Sequence, residues 1–233
     1  MQYFPIGLPF LIVFALFLVV VIILVEIGLL RYAYERIGVG RRHMFALLVL
    51  SFFGSYVNIP VYELSPHPIA PGSELSFGGM SYVIPQVSGW VGTVVAVNLG
   101  GAVIPICLSA YLIVKNRLYV RSLVGMALLT FFVHVMAYPV PGVGIAVPVL
   151  VPPVVAAIAG LLLSRKYAAP LAYISGSLGT LLGADILNLG RIRDLGAPVA
   201  SIGGAGTFDG IFLTGIISVL LVSLVVRRRT ADV

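Results

Sequence analysis

Cysteine is nearly missing from this chain. Cys107 stands alone among 233 residues, which excludes an intramolecular disulfide and a cysteine-held metal cluster. Histidine is scarce as well: there are three, with no HxxxH-type pair, so the usual spacing of a histidine metal site is missing and no metal or other cofactor is expected. Charge is the third shortage, at 9% of residues against 60% hydrophobic, with a mean hydropathy of +1.13. Soluble domains carry about 25% charged residues, so this composition excludes an ordinary soluble domain and makes the bilayer the expected solvent. The net charge of +6 and pI near 9.7 do not imply nucleic acid. The bases sit at the ends of hydrophobic segments, where they anchor to anionic lipid and fix orientation.

Crossing the hydrocarbon takes about 20 apolar residues in a helix. Seven segments meet that need, at roughly 6–30, 44–62, 86–114, 122–140, 148–164, 170–190 and 204–226. The fifth is the shortest, with Pro148, Pro152 and Pro153 crowding its start. Positive charge tests the map, because it is retained on the cytoplasmic side. Arg31, Arg36, Arg41, Arg42, Lys115, Arg117, Arg121, Arg165, Lys166 and Arg227 to Arg229 all fall on one side, and only Arg191 and Arg193 on the other. The expectation is an all-α polytopic bundle of about seven transmembrane helices, with the N-terminus outside and the C-terminus cytoplasmic. No basic residue precedes the first segment and no small-residue cleavage site follows it, so it reads as a retained helix.

Residues 1–233 read as one integral membrane domain. Its one long connection is an outer loop, 63–85, where Leu75 and Phe77, then Tyr82 and Ile84, alternate with polar residues about Gly78-Gly79. That pattern predicts a small β-hairpin.

An ionised carboxylate at membrane depth costs about 2.5–3.5 kcal/mol on insertion scales, so such groups face a cavity or a partner. Asp185 lies in "GTLLGADILNLG" near the end of the sixth segment, and Asp209 in "GGAGTFDGIFLTG" near the start of the seventh. Antiparallel helices joined by a short loop put both at similar depth. Gly176, Thr180 and Gly183 form a small-residue strip on one helix, and Gly206, Gly210, Thr214 and Ser218 recur every fourth position on the other. Such strips let backbones approach closely. Two carboxylates brought together cannot both ionise cheaply, so they would share a proton. If they do not meet, Arg191, Arg193 or exposed amides at a helix start are the alternative partners.

Asn58, His134 and Asn188 fall in the outer half of the bundle and Asn98 nearer its middle, as supporting or pathway residues. Interhelical hydrogen bonds are the plainer reading of Asn58 and Asn98. A divalent metal held by His134 and the two aspartates is the less supported one. Pro139, Pro141, Pro148, Pro152 and Pro153 preclude an uninterrupted helix from 134 to 153. Either a broken or re-entrant element beside the carboxylates or a plain surface turn fits. "GTVVAVNLGG" and "GTLLGADILNLG" share Gly-Thr and Asn-Leu-Gly with a three-residue gap, a weak internal repeat.

The runs "AVNLGGAVIP", "HVMAYPVPGVGIAVPVLVPPVVAA", "GTLLGADILNLG" and "SIGGAGTFDGIFLTG" resemble a family of prokaryotic integral membrane proteins known as a domain of unknown function. That resemblance implies a prokaryotic cytoplasmic membrane and carries no activity. The chain is more distantly similar to the GxGD intramembrane aspartyl proteases, the presenilin and signal-peptide-peptidase class, which place one aspartate on each of two successive helices. This likeness implies catalytic roles for Asp185 and Asp209, with Gly206 and Thr207 inside the glycine motif and Gly210 after it. The departures are specific: two residues separate Gly206 from Asp209, Ala184 stands where that class has an aromatic residue, and a Pro-Ala-Leu motif is missing.

Three functions follow as expectations. The first is an aspartyl protease-like enzyme acting on a transmembrane peptide, with one carboxylate as general base and the other as general acid. The second is a transporter or channel in which the pair binds a proton or small cation. The third is a non-catalytic membrane subunit. Membrane lipids are the expected partners, a homo-oligomer stays open, and nucleic acid is excluded.

Overall fold

A computed structural model describes residues 16, 17, 19, 39–64, 74–77, 80–83, 93–140, 144–195, 199–204 and 210–230. Of the first predicted helix only Leu16, Phe17 and Val19 are described, and all three are helical. The rest of that helix lies outside the described residues, as do Pro141, Gly206, Thr207 and Asp209.

The chain is mostly helical but not all-helical. Helix α1 (Arg41–Gly54) leads into strand β1 (Asn58–Leu64). Strands β2 (Glu74–Phe77) and β3 (Met80–Val83) pair antiparallel, with Phe77 opposite Met80. Strand β4 (Thr93–Asn98) runs through a wide π-helical turn, Leu99–Val103, into α2 (Ile104–Asn116). Helix α3 (Tyr119–Met136) is followed by the short strands β5 (Tyr138–Val140) and β6 (Gly144–Ala146), then α4 (Val151–Leu163). Helix α5 (Ala168–Thr180) widens into a second π-turn, Leu181–Asp185, and tightens to a 3-10 run, Ile186–Leu195. Strand β7 (Val199–Ile202) precedes α6 (Gly210–Thr230).

Two predicted helices are thereby corrected. The second, 44–62, stops at Gly54, and its remainder is β1; the first part of the third, 86–114, contains β4. "TVVAV" is rich in β-branched residues, which fit a pleated strand, and an apolar run of that length reads equally as strand or helix from hydropathy alone. Strand β4 is the centre of a three-stranded sheet in the order β1-β4-β7, antiparallel to β1 and parallel to β7. Neighbours on both sides satisfy its backbone without water, which lets an apolar strand sit among apolar helices. Pro60, which has no N–H, falls where the β1–β4 register shifts.

The prolines between 134 and 153 resolve without a broken transmembrane helix among the described residues. Pro139 sits in β5 opposite Ile145. Pro152 and Pro153 occupy the first turn of α4, where an amide would have no partner within the helix.

Among the described residues, three helical spans are long and apolar enough to cross a membrane: Leu99–Asn116, Tyr119–Met136 and Ala168–Arg191. Val151–Leu163 and Leu213–Val226 are shorter apolar helices. Helix α3 shows why the bundle suits lipid. It buries Ser122, Gly125, Leu129 and Val133 and exposes Val120, Leu123, Phe131 and Val135. Its outward face is the more apolar one. Helix α5 is buried at nearly every position, and its neighbours close on it through glycines. A Cβ at Gly176 would lie 3.2 Å from Ser218 Oγ of α6, and one at Gly179 would lie 2.7 Å from Leu129 of α3. Gly183 faces Thr130 and Val133 of α3, so the small-residue strip expected to serve α6 is shared between two partners. Gly210 meets nothing within 4 Å. The close approach of α6 to α5 comes from Gly215, against Ser177 and Tyr173, rather than from Gly210.

The tightest backbone passage among the described glycines is at Gly100, where a Cβ would fall on the Ser51 carbonyl of α1 and the amide of Ser55 just after it. Ser51 Oγ donates to Gly100 O at 2.7 Å across the same contact. Gly100→Ala should destabilise the fold by about 3 kcal/mol or prevent folding, as overpacking against backbone does. Gly210→Ala should change stability by less than about 0.5 kcal/mol. Thermal unfolding of the two variants in detergent separates them.

Candidate functional site

The two π-turns lie on either side of the end of β7. After Ile202, paired with Val97, Gly203 and Gly204 adopt φ of +94° and +91°, a region open to glycine but strained for other residues. Turned this way, the Gly203 N–H donates to Asp185 Oδ2 at 2.7 Å. On its other side a Cβ at Gly203 would lie 2.6 Å from Ala102 N and 2.7 Å from Ala102 Cβ. Gly203 is wedged between the last residue of one wide turn and the middle of the other. Ala102, Leu181 and Ile211 form a buried cluster there with Val97 and Ile202. Wide turns of this kind recur at functional sites.

Asp185 is half-buried at the end of its π-turn. Its hydrogen-bond partner is the backbone amide of Gly203; the side chain of Arg193 lies outside the described residues.

A second polar network fixes the sheet. Asn98 Nδ2 donates to Ser55 O at 2.7 Å and to Asn58 Oδ1 at 3.0 Å, and its own Oδ1 accepts from Gly101 N at 2.8 Å, capping the first π-turn. Ser201 Oγ donates to the same Asn58 Oδ1 at 2.6 Å. Asn58 and Asn98 are thus brought together as cross-strand partners in β1 and β4, in place of the interhelical contacts expected. Asn98 is 1% exposed and both its amide nitrogen and its oxygen are bonded within the sheet and the first π-turn.

His134 and Asn188 also meet. Asn188 Nδ2 donates to Gly183 O at 2.8 Å and Ala184 O at 3.0 Å, and lies 3.5 Å from His134 Nδ1. Asn188 is fully buried, and its Oδ1 has no partner among the described residues. It steadies the carbonyls that the second π-turn leaves over, two residues from Asp185. Pro139 lies in the β5–β6 hairpin, which borders the 3-10 run that carries Asn188. No cluster of three metal-ligating side chains occurs among the described residues.

A family model described as "Protein of unknown function (DUF1614)" matches residues 52–221, more than half of the chain. The chain belongs to that family. No curated protein and no solved structure matches it. The DUF1614 match spans the sheet, both π-turns and the glycine-rich segment ending in Asp209, and omits most of α1 and the chain before it.

Sequence reasoning found Asp185 but not Gly203, Ser201, Ser55 or Ala102. The signal for Gly203 was present: a Gly-Gly pair directly after a short apolar run, as at Gly100-Gly101.

Asn98→Ala should cost about 2–3 kcal/mol, because it strands buried groups on both sides of the amide. Asn58→Ala, at an exposed position, should cost about 1 kcal/mol or less. Chemical or thermal unfolding of both variants reads the difference, and equal losses would contradict the asymmetry.

Proposed function

We propose that this DUF1614 protein is an integral protein of a prokaryotic cytoplasmic membrane, with seven spans, an outside N-terminus and a cytoplasmic C-terminus. In it Asp185 and Asp209 act as an aspartyl protease-like pair on a transmembrane peptide. One carboxylate takes a proton from water as the oxygen attacks the peptide carbonyl carbon. The other, protonated, delivers its proton to the departing amide nitrogen as the C–N bond breaks.

The observation that carries this reading is the Gly203–Asp185 hydrogen bond. It anchors the chain six residues before Asp209 directly on the first carboxylate. Two residues after Asp209, Ile211 packs in the same cluster as Leu181, one turn from Asp185. Both flanks of the Asp209 segment are therefore held in the neighbourhood of Asp185. Lipid is the partner for the exposed apolar faces, and the positive ends of the helices suit anionic headgroups.

Proton- or cation-coupled transport is the second reading. The helical run bearing Asp185 changes from α to π to 3-10 at that residue, and interrupted helices beside acidic groups are how many transporters build ion sites.

In proteoliposomes carrying a quenched-fluorescent transmembrane peptide, Asp185→Asn and Asp209→Asn should each lower cleavage by more than about a hundredfold while the protein stays folded. Cleavage surviving in either variant removes the pair. Proton or cation flux without cleavage, lost in the same variants, selects transport; neither chemistry nor flux leaves a non-catalytic subunit. For the orientation, Lys115→Cys and Arg191→Cys in a Cys107→Ser background should be labelled by an impermeant maleimide from opposite sides. Labelling from the same side overturns the topology.

A further inference from the structure

We infer that Gly203 is a positioning residue whose backbone N–H holds Oδ2 of Asp185, so that Oδ1 is the oxygen the site presents; this rests on reading Asp185 as a working carboxylate.

The donor is fixed in three directions. Along the strand, β7 is registered on β4 through Ser201 opposite Ala96 and Ile202 opposite Val97. The Ser201–Asn58–Asn98–Ser55 hydrogen bonds tie that register to the end of α1. Across the strand, the backbone and Cβ of Ala102 stand against the α-carbon of Gly203, with Gly101 C at 2.8 Å from where a Cβ would be. In direction, the N–H belongs to the Ile202–Gly203 peptide, whose plane is set where the strand ends, and it meets Asp185 Oδ2 at 2.7 Å. A donor with so little freedom costs no reorganisation when charge changes on the group it holds.

The acceptor is constrained at one oxygen only. Asp185 ends its π-turn, is half-buried, and bonds through Oδ2. Among the described residues Oδ1 has no hydrogen-bond partner. A cap for a stray amide would be served as well by asparagine, as Asn98 serves Gly101. A carboxylate with one oxygen clamped and the other unbonded among the described residues is instead suited to exchanging a proton or touching a ligand in one orientation.

The test removes the donor and nothing else. In the full chain, replacing Gly203 by glycolic acid turns the amide into an ester without adding a side chain. The readout is the rate at which dicyclohexylcarbodiimide modifies Asp185, followed by peptide mass spectrometry. Losing a charge-assisted hydrogen bond should speed modification by about tenfold. Gly204→Ala, which strains the neighbouring backbone at φ +91° but leaves the Gly203 N–H in place, should stay within about twofold of wild type. A folded ester variant with an unchanged rate overturns the inference.

Where peptide cleavage is present, the ester should lower kcat and leave KM nearly unchanged. Faster modification with no cleavage in any variant supports the positioning role and sinks the peptidase reading; unchanged modification overturns the role whatever the cleavage. Should the ester not fold, hydrogen exchange at the Gly203 amide decides. Protection should persist in Asp185→Asn, which keeps an acceptor, and fall at least about tenfold in Asp185→Ala. Equal protection in both overturns the proposal.

Discussion

The fold turns on one close passage, where Gly203 runs between two wide helical turns and gives its amide to Asp185. One surface is the backbone and Cβ of Ala102 with the carbonyl carbon of Gly101, which have no rotatable side chain to move aside for a larger residue; the other is the Asp185 carboxylate. The passage joins elements far apart in sequence: the end of β7, the turn before α2, and the turn after α5. Ile211 at the start of α6 closes the same cluster. Moving any one of them would move the donor relative to the carboxylate, so sheet and bundle are held in a single geometry at this point.

Around it the bundle follows the economy of apolar surroundings. Lipid is as apolar as a leucine side chain, so helices there associate through close packing and hydrogen bonds. Gly125, Gly176, Gly179 and Gly183 sit at contacts of α3, α5 and α6. Ser218 Oγ bonds Ala172 O across the α5–α6 contact, and Thr130 Oγ1 donates to Gly179 O across α3–α5. Large side chains such as Phe131, Val135 and Leu162 point outward instead. At the sheet end and the two π-turns, backbone groups are taken up by side chains: Asn98 and Asp185 accept amides, and Asn188 donates to carbonyls.

The helical half of this arrangement was legible in the residues. The segments expected at 122–140, 148–164 and 170–190 match α3, α4 and the α5 run to within a few residues, because long apolar stretches bounded by bases or prolines have one simple solution. The sheet was not. Asn58–Leu64 and Thr93–Asn98 adjoin apolar helices, and a hydropathy window merges them. Asn58 and Asn98 were rightly singled out as polar groups needing partners, but the partner across a sheet could not be distinguished from one across a helix pair. Asp185 was readable as a buried carboxylate. Its bond to Gly203 was not, because it depends on a parallel strand pairing between segments a hundred residues apart, which no local pattern encodes.

That pairing also replaces the weak repeat between "GTVVAVNLGG" and "GTLLGADILNLG", since one forms a strand and the other a helix ending in a π-turn. The units that correspond by residue type are "VNLGGA" and "ASIGGA", offset by two residues in the register of two parallel neighbouring strands, each strand running into a Gly-Gly pair. Their glycines nonetheless take different conformations, for a reason visible in one substitution. In the first unit Asn98 is long enough to bend back and accept the Gly101 amide, which winds the pair into a helical turn. In the second the corresponding residue is Ser201, whose hydroxyl is already spent on Asn58. The second pair takes positive φ, and the Gly203 amide is met by a group from elsewhere in the chain. Asp185 is that group, so among the described residues one strand end is capped by its own asparagine and its neighbour by a distant carboxylate.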